Sequence, residues 1–97
     1  MYLRDKWADT VLNKYGKEHI EPAMKLIMAE SGFNPFAKNP SSGAYGLCQA
    51  LPATKMASVG DDYLTNPISQ IQWCIDYIKR YGNPTLAWKF WQENHWF

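Results

Sequence analysis

Apolar side chains recur at helical spacing in several separate stretches of the chain. In the first stretch, residues 3–15, they stand four residues apart: Leu3, Trp7, Val11 and Tyr15. This period predicts an amphipathic helix, which Gly16 ends. A second helix is predicted from Pro22, a residue suited to the first helical position, to about Ser31.

Two further helices begin with the same signal, an asparagine followed by a proline, at Asn66-Pro67 and Asn83-Pro84. An asparagine cap with a proline at the first helical position is typical of a helix start. The first of these helices is predicted to end near Tyr81 and the second near Gln92. The first also has a buried face of four isoleucines: Ile68, Ile71, Ile75 and Ile78.

The segment between the second and third helices is rich in turn-forming residues. Residues 32–45 hold so many Gly, Asn, Pro and Ser that only a turn or a short hairpin is predicted there. Residues 46–58 are predicted to form one or two short helical pieces, interrupted by Pro52. The pattern therefore predicts a mainly α-helical single domain over residues 1–97, with one long loop and at most a small β-hairpin.

Composition and charge exclude several classes of function. The net charge is +1 and the basic residues are scattered, so nucleic acid is not an expected partner. No apolar run is long enough for a membrane span, and no secretory signal pattern is present at the start of this chain. Metal-ligand spacings such as Cys-x-x-Cys are missing, so neither a metal nor a cofactor is predicted.

The candidate for chemistry is Glu30. It continues the apolar stripe of the second helix, three residues after Ile27 and four after Leu26. A carboxyl group in an apolar setting at a helix C-terminus has a raised pKa and is suited to general acid catalysis. The alternative from the sequence is a helix-end glutamate that is solvated or bonded to amides of the following loop.

The residues around Glu30 resemble those of the lytic transglycosylases, which are lysozyme-like enzymes that cleave peptidoglycan glycan strands. The resemblance lies in three segments: Glu30-Ser31 with Phe33-Asn34-Pro35, then Ser42 to Gln49, and then Pro52-Ala53-Thr54. It is closest to a small branch found at the ends of aggregation-promoting factors and in phage-encoded wall hydrolases. It implies a lysozyme-like fold, peptidoglycan as the partner and a place of work at the cell wall.

The resemblance also implies a mechanism with one acid. Glu30 would protonate the bond between N-acetylmuramic acid and N-acetylglucosamine, and would then deprotonate the muramyl 6-hydroxyl to give a 1,6-anhydro product. Glycosidases generally use two carboxylates. The only acids between Glu30 and Asp76 are Asp61 and Asp62, which we expect to be solvated turn residues. A hydrolytic lysozyme on the same fold is the alternative.

Five further positions are predicted to face the substrate: Gln49 and Trp88 by resemblance, and Ser31, Ser42 and Tyr45 because they lie in or near the motif. The alternatives are a Ser31 that caps the end of its helix and a Gln49 that caps a helix or faces solvent. Gln49 is expected in a short helix, and the two serines are candidates for hydrogen bonds to Glu30. Trp88 is the preferred cleft aromatic because it stands where the family has a tyrosine, whereas Trp73 is assigned to the core. Trp88-Lys89 departs from the Tyr-Asn pair of the larger enzymes.

Cys48 and Cys74 are expected on two helices that pack together, where they either form a disulfide or remain free. A disulfide would suit an extracellular enzyme, either a secreted protein or a phage virion or lysis protein. The chain is expected to act as a monomer or as one domain of a longer wall protein. Two rival functions are a cysteine peptidase using Cys48 with His95, and a glycan-binding module without catalytic activity.

Overall fold

The computed structural model of the protein describes residues 2–97, which are mainly helical as predicted. Four α-helices lie in this range: α1 (Tyr2–Lys14), α2 (Ile20–Ser31), α3 (Pro67–Ile78) and α4 (Pro84–Asn94). Three short 3-10 helices accompany them: Lys17–His19, Ala53–Ser58 and Lys79–Tyr81. Residues 2–97 contain no strand, and none of their helices is long and apolar enough to cross a bilayer.

The helix starts follow the capping signals in the sequence. The Asn66 side chain accepts a hydrogen bond from the Ile68 N–H at 2.9 Å, and Asn83 accepts one from the Leu86 N–H, also at 2.9 Å. Each cap satisfies one N–H that has no partner within its helix. Helix α2 begins two residues before Pro22, which therefore lies in the first turn, where a missing N–H breaks no helical bond.

Helix α2 lies between α1 and α4 and supplies the centre of the core. Its buried face consists of Ala23, Leu26 and Ile27. The indole N–H of Trp7 in α1 donates to the Ala23 carbonyl at 3.0 Å, which ties the two helices together. Trp73 of α3 is buried in the same core, as predicted. The packing leaves the C-terminal end of α2 at the edge of the core.

The loop after α2 takes a path that the sequence did not predict. Only two isolated antiparallel bridges form there, Lys38 with Tyr45 and Tyr45 with Ala50. The expected helical piece around residues 46–49 is a turn, in which Gln49 has a left-handed φ of 53°. The prediction that Gln49 and Cys48 lie on a helix is therefore wrong. Cys48 is nevertheless joined by a disulfide to Cys74 of α3, with the two Cα atoms 5.8 Å apart.

A buried amide, that of Gln70, holds this loop against α3. The Gln70 oxygen accepts a hydrogen bond from the Leu47 N–H at 2.9 Å, and its nitrogen donates to the carbonyls of Pro35 and Tyr63, both at 2.9 Å. The loop backbone approaches so closely that a Cβ at Gly46 would lie 2.6 Å from the Gln70 oxygen. The φ of Gly46, 85°, also favours glycine.

Candidate active site

Glu30, in the last turn of α2, lines a cleft of about 280 Å³. One wall comes from the loop and includes Asn39, Ser42 and Gln49. The other wall comes from the residues after α4, namely His95, Trp96 and Phe97. The cleft therefore combines three segments that are distant in sequence, with one carboxyl group between its walls.

The environment of Glu30 makes its carboxyl group a weaker acid than an ordinary glutamate. Desolvation by burial raises the pKa from 4.5 to about 7, and a hydrogen bond with the Trp91 side chain opposes this rise. Near neutral pH the group is therefore present in both protonation states. A carboxyl group with this pKa can donate a proton in one step and accept one in the next.

Trp91 contacts Glu30, whereas Trp88 lies outside the cleft. The two indoles are stacked, with ring centres 5.4 Å apart and planes inclined by 12°. Trp88 lines a different, apolar groove beside Met24 and Met28 on the outer face of α2. The structure therefore places Trp91, and not the predicted Trp88, beside Glu30. Positions three apart share a helix face, so sequence alone did not distinguish them.

Gln49 lines the cleft with a fixed amide orientation. Its nitrogen donates to the carbonyls of Ala37 at 3.0 Å and Gly46 at 2.9 Å. Because both N–H groups are used, the side-chain oxygen is identified as the acceptor that remains. That oxygen has no hydrogen-bond partner within residues 2–97 and is not buried. It is available to a donor such as an amide or hydroxyl of a ligand.

The other predicted site residues are divided between the cleft and the scaffold. Ser42 lines the cleft, and its hydroxyl accepts a hydrogen bond from the Ala44 N–H at 3.2 Å. Ser31 instead donates to the Leu47 carbonyl at 2.8 Å, which links the end of α2 to the loop. Tyr45 donates to the Leu64 carbonyl at 2.7 Å. Glu30, Ser42 and Gln49 are thus brought together, while Ser31 and Tyr45 hold the loop in place.

Within the described chain, Glu30 is the only carboxylate among the side chains that line this cleft. Asp62 instead accepts hydrogen bonds from Asn66 at 2.8 Å and Ser69 at 2.9 Å. These two bonds hold the pKa of Asp62 below its usual value. Asp61 is exposed in the same turn. The arrangement provides one acid, and neither aspartate provides the second carboxylate of a hydrolytic glycosidase.

The segment after α4 includes a site residue that sequence reasoning missed. The sequence analysis considered His95 only as a partner for Cys48, yet it lines the Glu30 cleft. Its left-handed backbone, with φ at 62°, ends α4, and its ring meets Trp91 edge to face with centres 5.1 Å apart. The signal that was available is the run of aromatic side chains directly after a helix, where the helical period no longer assigns them to the core.

The disulfide removes the nucleophile that a cysteine peptidase would need. Cys48 and Cys74 are both engaged in it, and the described residues contain no free cysteine. Cysteine catalysis requires a thiolate with a nearby base. The disulfide is therefore evidence against the hypothesis of a cysteine peptidase.

Comparison with known proteins gives one match. A family model described as a transglycosylase SLT domain matches residues 10–92. The matched region includes Glu30, the loop that carries Gln49, and most of α4. No curated protein and no solved structure is significantly similar to the chain.

Proposed function

Because this chain belongs to the transglycosylase SLT family, as its motifs predicted, we propose that it is a lytic transglycosylase of peptidoglycan. It cleaves the β-1,4 bond between N-acetylmuramic acid and N-acetylglucosamine and leaves a 1,6-anhydro end on the muramyl residue. The observation that carries the proposal is the position of Glu30, whose pKa is raised to about 7 in a cleft lined by no second carboxylate of residues 2–97.

In the first step, protonated Glu30 acts as the general acid. It donates its proton to the glycosidic oxygen while the bond between that oxygen and muramyl C1 breaks. The carbonyl oxygen of the muramyl N-acetyl group bonds to C1 and takes up the positive charge. The acetyl oxygen of the substrate thus acts as the nucleophile, a role that the second carboxylate has in retaining glycosidases. This is in keeping with the single acid in the cleft.

In the second step, the Glu30 carboxylate acts as the general base. It removes the proton from the muramyl 6-hydroxyl, and O6 attacks C1 while the bond from C1 to the acetyl oxygen breaks. Glu30 is protonated again and no water is consumed. A pKa near 7 suits both steps, because the same group must release and recover a proton near neutral pH.

Gln49 and Ser42 are the substrate-binding side chains of this proposal. The free Gln49 oxygen accepts a hydrogen bond from an amide or hydroxyl of the glycan, and the Ser42 hydroxyl donates one. Both side chains line the cleft with Glu30, which supports these roles. Trp91 holds the Glu30 carboxyl through its side chain and is a positioning residue.

The enzyme is proposed to act at the cell wall, outside the cytoplasm, either as a secreted protein or as a phage virion or lysis protein. The disulfide between Cys48 and Cys74 supports this location, because disulfides persist in oxidising compartments. The active form is proposed to be a monomer or one domain of a longer wall protein.

Mass spectrometry of digested peptidoglycan tests the proposal. The wild type should release muropeptides one water lighter than hydrolytic products, and Glu30→Gln should release none. The matched control is Glu93→Gln, an exposed glutamate on α4 that lies outside the cleft, and it should behave as the wild type.

Each other outcome points to a different function. Products of full hydrolytic mass that depend on Glu30 would make the protein a lysozyme. Cleavage by Glu30→Gln at the wild-type rate would remove Glu30 from the mechanism. Binding of glycan without cleavage by any variant would make the chain a peptidoglycan-binding module.

A further inference from the structure

A second pocket, of about 180 Å³, lies directly beside the Glu30 cleft. The two spaces share four lining side chains: Gln49, Leu51, Trp96 and Phe97. A ligand that occupies the cleft can therefore extend a substituent into this second pocket, which the proposed chemistry does not use.

The walls of the second pocket are aromatic and mutually packed. Trp73 and Tyr77 are stacked with ring centres 4.7 Å apart and planes inclined by 19°. Phe97 meets Tyr77 edge to face at 5.4 Å. The neighbouring wall contains Cys48, which the disulfide fixes to α3. These contacts give a preformed aromatic surface that loses little conformational entropy when a ligand binds.

The charge of this pocket is opposite to that of the cleft. Lys55 is the only charged side chain that lines it, and it makes no salt bridge within the described part of the chain. The Arg80 guanidinium does not line the pocket, but it lies 4.8 Å from the centre of the Tyr77 ring, which does. A pocket with aromatic walls, a polar amide and a cation attracts an anionic group that also carries apolar atoms.

We propose that this pocket binds the carboxylate-bearing substituent of the muramyl residue, with Lys55 holding the carboxylate. The inference rests on the proposed function for the identity of the ligand. N-acetylglucosamine has no charge, whereas the muramyl residue carries a lactyl group that ends in a carboxylate or continues into a peptide. Binding there distinguishes the two alternating sugars and fixes which of them lies at Glu30.

The test measures binding, so it does not depend on cleavage. Tryptophan fluorescence, to which Trp73 and Trp96 in the pocket contribute, is titrated with N-acetylmuramyl dipeptide, N-acetylmuramic acid and N-acetylglucosamine. The wild type should bind the two anionic ligands about tenfold more tightly than N-acetylglucosamine, as a charge-assisted contact provides. Lys55→Gln should abolish this difference, and Lys55→Arg should retain most of it.

The control variant is Lys17→Gln, an exposed lysine outside both pockets, which should keep the wild-type preference. Tighter binding of the dipeptide than of N-acetylmuramic acid would assign the carboxylate to the peptide. Tighter binding of N-acetylmuramic acid than of the dipeptide, in which the lactyl carboxyl is an amide, would assign it to the lactyl group. Equal affinity for all three ligands, or a preference that survives in Lys55→Gln, would overturn the inference. If the protein showed this binding preference but cut no glycan, the proposed function would be wrong and the inference about the pocket would stand.

Discussion

At the scale of single residues, the acidity of Glu30 results from two opposing influences. Burial disfavours the carboxylate, and the Trp91 side chain favours it. Because burial is the larger influence, the pKa settles at about 7 rather than near the ordinary value of 4.5. The influence of Trp91 can be removed by one substitution.

We expect Trp91→Phe to raise the pKa of Glu30 further. The phenyl ring preserves an aromatic contact but has no N–H to stabilise the carboxylate. An NMR titration of the Glu30 side-chain carboxyl should show its midpoint above the wild-type value of about 7. The alkaline limb of kcat/KM should move upward with it, since the general acid must be protonated. An unchanged midpoint would show that burial alone sets the pKa.

We expect Glu30→Gln to stabilise the fold in a pH-dependent way. The folded-state pKa is raised, so the stability contribution of Glu30 is fully present below the unfolded value of 4.5 and is lost as pH rises through about 7. Partial exposure of the carboxyl reduces the effect to about 2 kcal/mol at pH 8. Denaturant unfolding should therefore show a gain for the variant at pH 8 and almost none at pH 4.

The control for this measurement is again Glu93→Gln, which removes an exposed carboxylate and should change stability little at either pH. A gain for Glu30→Gln of the same size at pH 4 and pH 8 would contradict the linkage argument. It would indicate that the amide stabilises the fold by packing or hydrogen bonding, and not by removal of a desolvated charge.

At the scale of elements, the loop that carries Gln49 is held in place by α3. We expect Gln70→Leu to lower the free energy of unfolding by about 3 kcal/mol, because it leaves the Leu47 N–H and the Pro35 and Tyr63 carbonyls without their partner. Denaturant titration measures the loss. Gln72→Leu, an exposed position on the same helix, is the matched control and should stay within about 0.5 kcal/mol of the wild type.

The helices were predictable from the sequence because their signals are local. An asparagine cap two or three residues from the N–H that it binds, as at Asn66 and Asn83, can be identified without knowledge of the fold. The path of the loop could not be predicted in this way. The bond from the Leu47 N–H spans 23 residues to Gln70, and nothing in the pattern around Gln70 marks it as a partner of the loop.

The candidate site, like the fold, was predictable only where its signals are local in the sequence. Glu30 follows from a helical stripe and from a motif, both of which can be found along the chain. Trp91 and His95 could not be assigned, because their place depends on how α4 packs on α2 and on the direction of the chain after α4 ends. The helical fold was therefore accessible from local pattern, and the walls of the cleft required the tertiary structure.

At the scale of the whole molecule, one covalent link joins the loop to α3. The disulfide between Cys48 and Cys74 spans 26 residues of sequence, and such a link typically contributes about 3 kcal/mol through the unfolded state. We expect a reducing agent to lower the melting temperature of the wild type. The double variant Cys48→Ser, Cys74→Ser should have a low melting temperature that does not respond to the reductant.

Thiol labelling of the unfolded protein without reductant is the direct check on this bond. No label should be incorporated unless a reductant is added first. Two labelled cysteines in protein prepared under oxidising conditions would show that the disulfide does not form in solution. The position of the loop would then depend only on Gln70 and on the other hydrogen bonds of the loop.

The Gln70 amide also has a consequence for how sequences of this family can diverge. All three of its partners are main-chain atoms, at Pro35, Leu47 and Tyr63. A substitution at any of these positions leaves an N–H or a carbonyl in place, except that a proline at position 47 would remove the N–H. The contact therefore requires an amide at position 70 and little from its three partners. Relatives can vary these three positions while preserving the path of the loop, and statistical coupling between them and position 70 would not detect the link.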